Sequence, residues 1–542
     1  MDEFSEEEKR ILAQFTTNVD KPIFALVNLP EVVKGALFSR YSRSAKSLRR
    51  VLLDEFILKP ETGFKEIVNY RAESSSASQA VAIKKAEEFY DRVLVGYGDD
   101  SVAELAGAHV AIEQVSNIAT KVLEDSRIGL SPLEKSTRYV YFDQKHNGKW
   151  LYYEEPAIMK SEFAAIYTDT CNLLFETYAS LIPKVSKYIA DLYPKDASTS
   201  DRAYAASIRA KTCDLLRGLL PAATVTNMGF FGDGRAYEYL LTKMYASQLG
   251  EIRDIAAMLQ EELRSVIPSF VKRANDSYGK AMHDYMHEID RNTKQLVDQK
   301  LYSFKVDRHE KPVALIDYDA NGDEKAVAAI FYQYSGIPLE EAYLIAKNMS
   351  EQEKGQLIAS YVGKRGNRRH KPYRAFENVY YTFDIIANFG AYRDLHRHRV
   401  LTQQRQLLTC DHGYDLPKEL VAAGFGDAFK SAMEHAKAAF ERISKKMPEQ
   451  AQYVVPLAYK VRWYVKMNLR EAFHLCELRS MQQGHPDYRH VAQDMHREIL
   501  RVHPSLGRHM IFMDMKEYAF ERLEAEKKLD KKLEEMKKKY DS

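Results

Sequence analysis

Leu220-Pro221 precedes Arg235 as Val455-Pro456 precedes Arg470, with fourteen positions from the proline to the arginine in both places. Other pairs keep the same order. Ala25-Leu26-Val27-Asn28 answers Ala314-Leu315-Ile316-Asp317, Tyr41-Ser42 answers Tyr334-Ser335, and Pro268-Ser269 answers Pro504-Ser505. An ordered series of echoes marks a duplication, and it confines the chain to a unit that can be built twice. Two divergent copies are expected, over 22–305 and 306–515, with a lead-in helix over 1–21 and a charged helix over 516–542. Two copies imply an internal pseudo-dimer.

Each copy reads as a small strand-rich part followed by long helices, an α+β, helix-dominated fold. In the first, Tyr139–Phe142 and Trp150–Tyr153 have the composition of strands, and 160–193, 200–218 and 234–266 have helical periodicity. In the second, Val379–Ala387 is a β-favouring run, and helices are expected near 426–446, 465–483 and 487–502. A short strand is expected from Ile23. At 542 residues and 45% hydrophobic content, the chain exceeds what one core usually supports.

Charge and cysteine usage exclude several classes. The 79 basic and 77 acidic residues nearly cancel, which argues against a nucleic-acid-binding or scaffold role for the chain as a whole. Cys171, Cys213, Cys410 and Cys476 have no paired spacing, so neither a zinc site nor a disulfide framework is expected, and a reducing cytoplasm fits. No apolar run approaches a membrane span, and the acidic N-terminus does not read as a signal peptide.

The basic character is local instead. Tyr392–Thr409 gathers Arg393, His396, Arg397, His398, Arg399 and Arg405 behind the almost uncharged Tyr380–Tyr392. Guanidinium forks at the end of an apolar approach suit a buried anion such as phosphate, although clustered basic residues also occur as a solvated face.

Residues 376–399, FENVYYTFDIIANFGAYRDLHRHR, resemble the signature region of the flavin-dependent thymidylate synthases, the ThyX family, in which an Arg-His-Arg motif precedes a nucleotide loop. Residues 98–139 of the first copy are similar to the same region. The two copies depart from the pattern in different places. Arg397-His398-Arg399 is matched in the first copy by Asp125-Ser126-Arg127, while the loop residues Glu134, Ser136, Arg138 and Tyr139 of the first have no counterparts in Arg405–Cys410 of the second. Arg217 is answered by Gln452, Asn468-x-Arg470 by Asp233-x-Arg235, and Arg479 by Met244.

Because family members build each active site from more than one subunit, the resemblance implies one composite site type drawing half its residues from each copy. It implies FAD as cofactor, held by Ser101, Arg397, His398, Arg399, Asn468, Arg470 and His474. It implies dUMP held by Glu134, Ser136, Arg138 and Arg217, with Arg479 facing the uracil as the catalytic electrostatic group. The implied reaction is reductive methylation of dUMP to dTMP, with methylenetetrahydrofolate and NADPH as co-substrates and no metal. A homodimer of duplicated chains would mimic the family's tetramer. The alternative is a flavin- or nucleotide-binding protein of the same fold with lost or altered methylation. Residue by residue, plainer roles compete: Ser136 and Arg138 as a turn with an ion pair, His474 and His109 as core histidines, and Cys410 and Cys476 as buried thiols.

Overall fold

The computed structural model describes residues 3–42, 44–58, 100–304 and 311–540. Its contacts divide the chain into two compact units. The first comprises 1–115, 122–134 and 226–306, and the second 116–121, 135–225 and 307–542.

The first unit holds an antiparallel pair within a three-stranded sheet, β1 (Gly107–Ser116), β2 (Leu130–Glu134) and β3 (Val225–Asp233), in the order β1-β3-β2. β2 and β3 run from Leu130 opposite Gly232 to Glu134 opposite Met228. The periodicity over 234–266 yields two helices, Gly234–Tyr245 and Gly250–Arg264. Leu240, Leu241 and Met244 point into the core from the first. The lead-in helix runs Glu6–Leu12 and begins with a Ser5/Glu8 capping box.

The second unit is built on a four-stranded antiparallel sheet of β4 (Val313–Tyr318), β5 (Tyr380–Asn388), β6 (Leu401–Arg405) and β7 (Lys460–Asn468), ordered β4-β5-β7-β6. β7 alternates: Val461, Trp463, Val465 and Met467 are buried between exposed or half-exposed neighbours, the period of a strand with one covered face. Its pairing with β5 is regular from Tyr380 opposite Asn468 to Asn388 opposite Lys460. Helices Ala164–Leu192, Asp201–Leu216 and Gly426–Ser444 pack together, and Leu469–Arg479 packs on Pro486–Val502.

One local device recurs at four strand ends. Ser116, Asp233, Asn388 and Asn468 each close a strand and cap the next helix, accepting from the backbone N–H three residues on, at 3.0, 2.8, 2.8 and 2.9 Å. A short polar side chain there satisfies an otherwise orphaned amide, fixing where strand becomes helix. In the second unit the two Leu/Val-Pro turns also meet: Pro221 bridges Pro456, with Ala222 N to Val455 O at 2.8 Å and Leu457 N to Leu220 O at 2.9 Å. Equivalent segments of the two repeats thus donate to and accept from each other, as in an isologous two-fold contact.

Several expected elements differ. Tyr139–Phe142 and Trp150–Tyr153 do not form strands; Tyr152 makes only an isolated bridge to Thr224. The aromatic run is used for side-chain packing, with Arg522 stacked 4.1 Å from the Tyr139 ring and Phe142 buried. The strand expected from Ile23 reduces to a bridge between Leu26 and Thr16, since Asn28 turns the backbone to φ 54°. The helix expected from 465 begins at Leu469, because β7 occupies the preceding residues. The charged tail is a helix, Leu523–Tyr540, with no buried residue, tied by Lys527 to Asp196 at 3.0 Å.

Candidate functional site

The basic knot lies at the end of β5 in the second unit. Asn388 starts the Phe389–Leu395 helix, whose short length carries Asp394, Arg397 and His398 past its C-terminus or along its last turn. Asp394 is the point of convergence. Burial raises its pKa, but the charges of Arg217, Arg397, Arg138 and Arg479 outweigh this and hold the carboxyl well below the usual carboxylate range. Arg217 Nη1 reaches it at 3.2 Å. Arg138 and Arg217 come from the first repeat and Asp394, Arg397 and Arg479 from the second, so residues of both repeats meet within one chain.

A second carboxylate, Asp214, takes Arg138 in a bidentate pair, Nε to Oδ1 at 2.7 Å and Nη2 to Oδ2 at 2.6 Å. Both side chains are buried. Burial opposes ionisation of Asp214, and Arg138 overcomes it, so the carboxyl stays charged well below its ordinary range. Arg138 Nη1 also donates to Tyr488 Oη at 3.1 Å, and the Tyr488 ring lies 5.7 Å from both the Arg138 and Arg479 guanidinium carbons. Ser136 lies beside this pair in sequence, its Oγ accepting from the Arg138 amide at 3.2 Å.

Arg479 is held from the other side. Its Nε donates to His398 Nε2 at 2.9 Å, and His398 Nδ1 lies 2.8 Å from Glu471 Oε1. Because Nε2 accepts, the proton of the neutral ring belongs on Nδ1, which donates to Glu471. Burial, together with Arg479, His474 and Lys371, depresses the His398 pKa far below normal, so this contact is a hydrogen bond rather than an ion pair. Burial also raises Glu471 to about 7, against the pull of Lys371, Arg470 and Arg479.

His474 stands with its ring 5.3 Å from that of His398, its pKa lowered to about 4 by burial and by Lys371, Arg368 and Arg479. His398, Glu471 and His474 bring ligand atoms within 4.8 Å of one another. They do not form an attractive cation site, since both His398 nitrogens are already engaged and the surrounding side chains are cationic.

The remaining expected residues divide. Asn468 is spent on capping its helix, and Arg470 donates to Pro372 O at 2.8 Å and Glu377 at 3.0 Å. Arg397 is half-buried and Arg399 exposed. Glu134 is buried at the end of β2 in the first unit. Ser101 falls in the Asp100–Leu105 turn of that unit, and its side chain is outside the described residues. Asp214, Asp394, Glu471 and Tyr488 were not anticipated. Asp394 lies inside the basic knot and Glu471 on the same helix as Arg479, but nothing in their spacing marks them or Asp214 and Tyr488 as partners of the arginines.

Beside Arg217 the second unit encloses a cavity of about 410 Å³. Asp214, Asp415, Asp487, Glu419, Glu517 and Glu521 line it against Lys211, Arg217 and Lys418. Asn388 Nδ2 donates to both Asp415 at 2.8 Å and Asp487 at 2.5 Å, and Lys211 bridges Glu419 and Glu521 at 3.0 Å each. Arg217 Nη2 is buried and has no hydrogen-bond partner among the described residues.

Comparison with known proteins agrees with the resemblance. The family model described as thymidylate synthase complementing protein, Thy1, matches residues 57–269 and 314–505. A "UPF0159 protein" of Chlamydia muridarum is 47% identical over 97% of this chain and 98% of its own length. A relative from Thermoplasma acidophilum under the same heading is 34% identical over 91% and 97%. Among solved structures, the UMP/dUMP methylase PolB of Streptomyces cacaoi bound with 5-Br dUMP aligns with a TM-score of 0.30 at 20% identity, covering 37% of this chain and 95% of that one. With a match in each half, the chain belongs to the thymidylate synthase complementing protein family, also called ThyX.

Proposed function

We propose that the chain is a flavin-dependent methylase of a uracil ring, working at a composite site formed by both repeats, with dUMP as the substrate the family would lead one to expect. The observation that carries this reading is the chain Glu471–His398–Arg479, which aims a half-buried guanidinium beside Arg138, Arg217 and Arg397. A cation fixed in low dielectric by a neutral imidazole is suited to stabilise negative charge that develops on a ring as it becomes nucleophilic. His398 can hold Arg479 in place without cancelling its charge because the imidazole stays neutral.

FAD would be held by Arg397, His398, Arg399 and His474, with Ser101, Asn468 and Arg470 as further family positions. The donor set fits an anionic dinucleotide, since Lys371, Arg368 and Arg479 together depress His474 and so make a strongly cationic surround. Asn468, Arg470 and His398 fit less well, being committed to a helix cap, to Glu377, and to Arg479 and Glu471. When bound, FAD supplies the hydride chemistry, with NADPH as reductant and methylenetetrahydrofolate as one-carbon donor. The protein's part is to bind, orient and stabilise charge. A homodimer remains the expected assembly.

The visible spectrum of the purified protein tests the flavin assignment. Bound flavin that is lost in Arg397→Glu, together with methylated product whose formation falls at least a hundredfold in Arg479→Ala, is the expected result. Retention of flavin by Arg397→Glu would overturn the assignment. A second reading, a flavin-binding protein of this fold with altered methylation, is favoured by one observation: Arg138 and Arg217, the expected phosphate ligands, already pair with the buried Asp214 and the partly buried Asp394.

A further inference from the structure

Residues 363–374, between the helix Glu351–Val362 and β5, carry six Lys or Arg and no Asp or Glu. The loop is held firmly at its root. Arg365 is buried and pairs through both terminal nitrogens with Glu477 at 2.6 Å each, and it donates to His370 O at 2.6 Å and His509 O at 2.9 Å. Asn367 Oδ1 accepts from the Arg369 amide at 2.9 Å and closes the turn. The other cations divide. Arg368 and Lys371 depress His474 and belong to the cationic surround already described, and Arg374 takes Glu377 at 3.3 Å. Lys364 and Arg369 are exposed, with no carboxylate paired to either among the described residues. Unpaired cations on a fixed loop can take an anion without first giving up an ion pair.

Tyr373 joins this loop to a cleft of about 470 Å³, which it lines with Phe331, Tyr334, Leu357 and Tyr361 and no charged residue. Tyr361 is fixed by donating to Gln333 at 3.2 Å and accepting from the Ala375 amide at 3.1 Å. The rings of Tyr334 and Tyr373 cross it at 78° and 75°. These two are 66% and 62% exposed, so each keeps a face for a planar ligand. Arg369 lies four positions from Tyr373, a span of at most ~14 Å of chain.

An aromatic wall beside two unpaired cations suits a flat ring joined through one sugar to a compact dianion. FAD carries its phosphates as a bridging diphosphate, a folate tail is an extended run of single carboxylates, and dUMP is given its own arginines in Arg138 and Arg217. The adenosine 2′-phosphate end of NADPH has the required build. Resting on the functional reading above, we propose that the cleft and the exposed loop cations bind this end of NADPH, with Tyr334 and Tyr373 against the adenine and Lys364 and Arg369 on the 2′-phosphate. The loop thereby makes the chain discriminate NADPH from NADH, which lacks that phosphate.

Isothermal titration of the purified full-length protein with 2′,5′-ADP and with 5′-ADP reads the site without depending on turnover. 2′,5′-ADP is expected to bind roughly tenfold tighter, the worth of one charge-assisted contact. Lys364→Ala/Arg369→Ala should bring the two ligands to within about threefold of each other, and Tyr373→Ala should weaken both together by roughly tenfold. All three positions are exposed, and circular dichroism checks that the variants are folded. Equal wild-type affinities, no binding of either ligand, a preference unchanged in the folded double variant, displacement of 2′,5′-ADP by dUMP, or binding of a γ-glutamyl peptide in its place would overturn the inference. Flavin separates the two proposals. A bound flavin that NADH reduces as fast as NADPH refutes this inference and leaves the methylase reading standing, whereas a flavin-free protein that still prefers 2′,5′-ADP does the reverse.

Discussion

Replacing Glu471 with glutamine tests the buried hydrogen-bond chain behind Arg479. Glu471 is 7% exposed, and burial lifts its pKa from 4.5 to about 7. A carboxyl whose folded pKa is raised favours the fold in its protonated form. Its contribution is therefore complete below pH 4.5 and lost as pH rises through about 7. At ~1.4 kcal/mol per pH unit, the loss is about 3 kcal/mol. His474 runs the other way: its lowered pKa gives stability that is present above 6.5 and lost as pH falls through about 4. The wild-type profile mixes both slopes, but subtraction of the variant isolates the carboxyl, because glutamine is neutral at every pH and still offers an oxygen to His398 Nδ1–H.

Thermal melts at pH 5 and pH 8 read the difference. Near pH 5 the two proteins should differ by less than about 1 kcal/mol. At pH 8 Glu471→Gln should be the more stable by about 3 kcal/mol, roughly 6 °C at ~2 °C per kcal/mol for a large domain. A melting difference that is flat from pH 5 to pH 8, or a variant that is less stable at pH 8, would refute the claim that burial raises this carboxyl.

Other perturbations have equally definite expectations. Arg138→Leu leaves Asp214 buried without its cation and should cost about 3–5 kcal/mol, while Arg138→Leu/Asp214→Leu should recover most of that loss in denaturant titrations; equal destabilisation by both would show that the pair is not coupled. Gly322→Ala would place a Cβ 2.6 Å from His503 Nε2 and 2.9 Å from Val379 Cγ1, so a loss of about 1–3 kcal/mol is expected, and an unchanged melt would contradict that packing. Removing the Leu523–Tyr540 helix, which buries no residue, should change stability by less than about 1 kcal/mol; a large loss would mean that its ion pairs act as a coupled network.

The family and the fold were legible because duplication leaves spaced pairs that survive divergence, and the Pro221 and Pro456 turns that betrayed it are the ones that pair in space. β5 was legible from its apolar run. β7 was less so, although its period of two over Val461, Trp463, Val465 and Met467 is regular, because the following helix begins without a Gly or Pro break. Tyr139–Phe142 misled because β-favouring residues also serve isolated packing, and propensity does not specify a partner strand. At the site, the arginines were legible as cations, but their partners were not. Asp214 lies 76 positions from Arg138, and Asp394 177 from Arg217. Such pairings are fixed by tertiary contact, and spacing cannot reveal them.

The same contacts show what each repeat carries where it lacks the other's arginine. Where the first repeat keeps Arg217, the second has Gln452, whose Oε1 accepts from Arg405 Nη1 and from the Leu408 amide at 3.0 Å each. Leu408 is fully buried, so its amide needs that acceptor. Gln452 thus knits the second repeat's loop to the Val455-Pro456 turn, where an arginine would leave the amide unmet. Where the second repeat keeps Arg479, the first has Met244, fully buried among core residues. At each position that lacks the arginine, the residue present has a packing or bonding role in its own repeat. Restoring the missing arginine at either position would therefore remove a structural contact before it could rebuild a site, which ties any activity of the chain to residues that remain divided between the repeats.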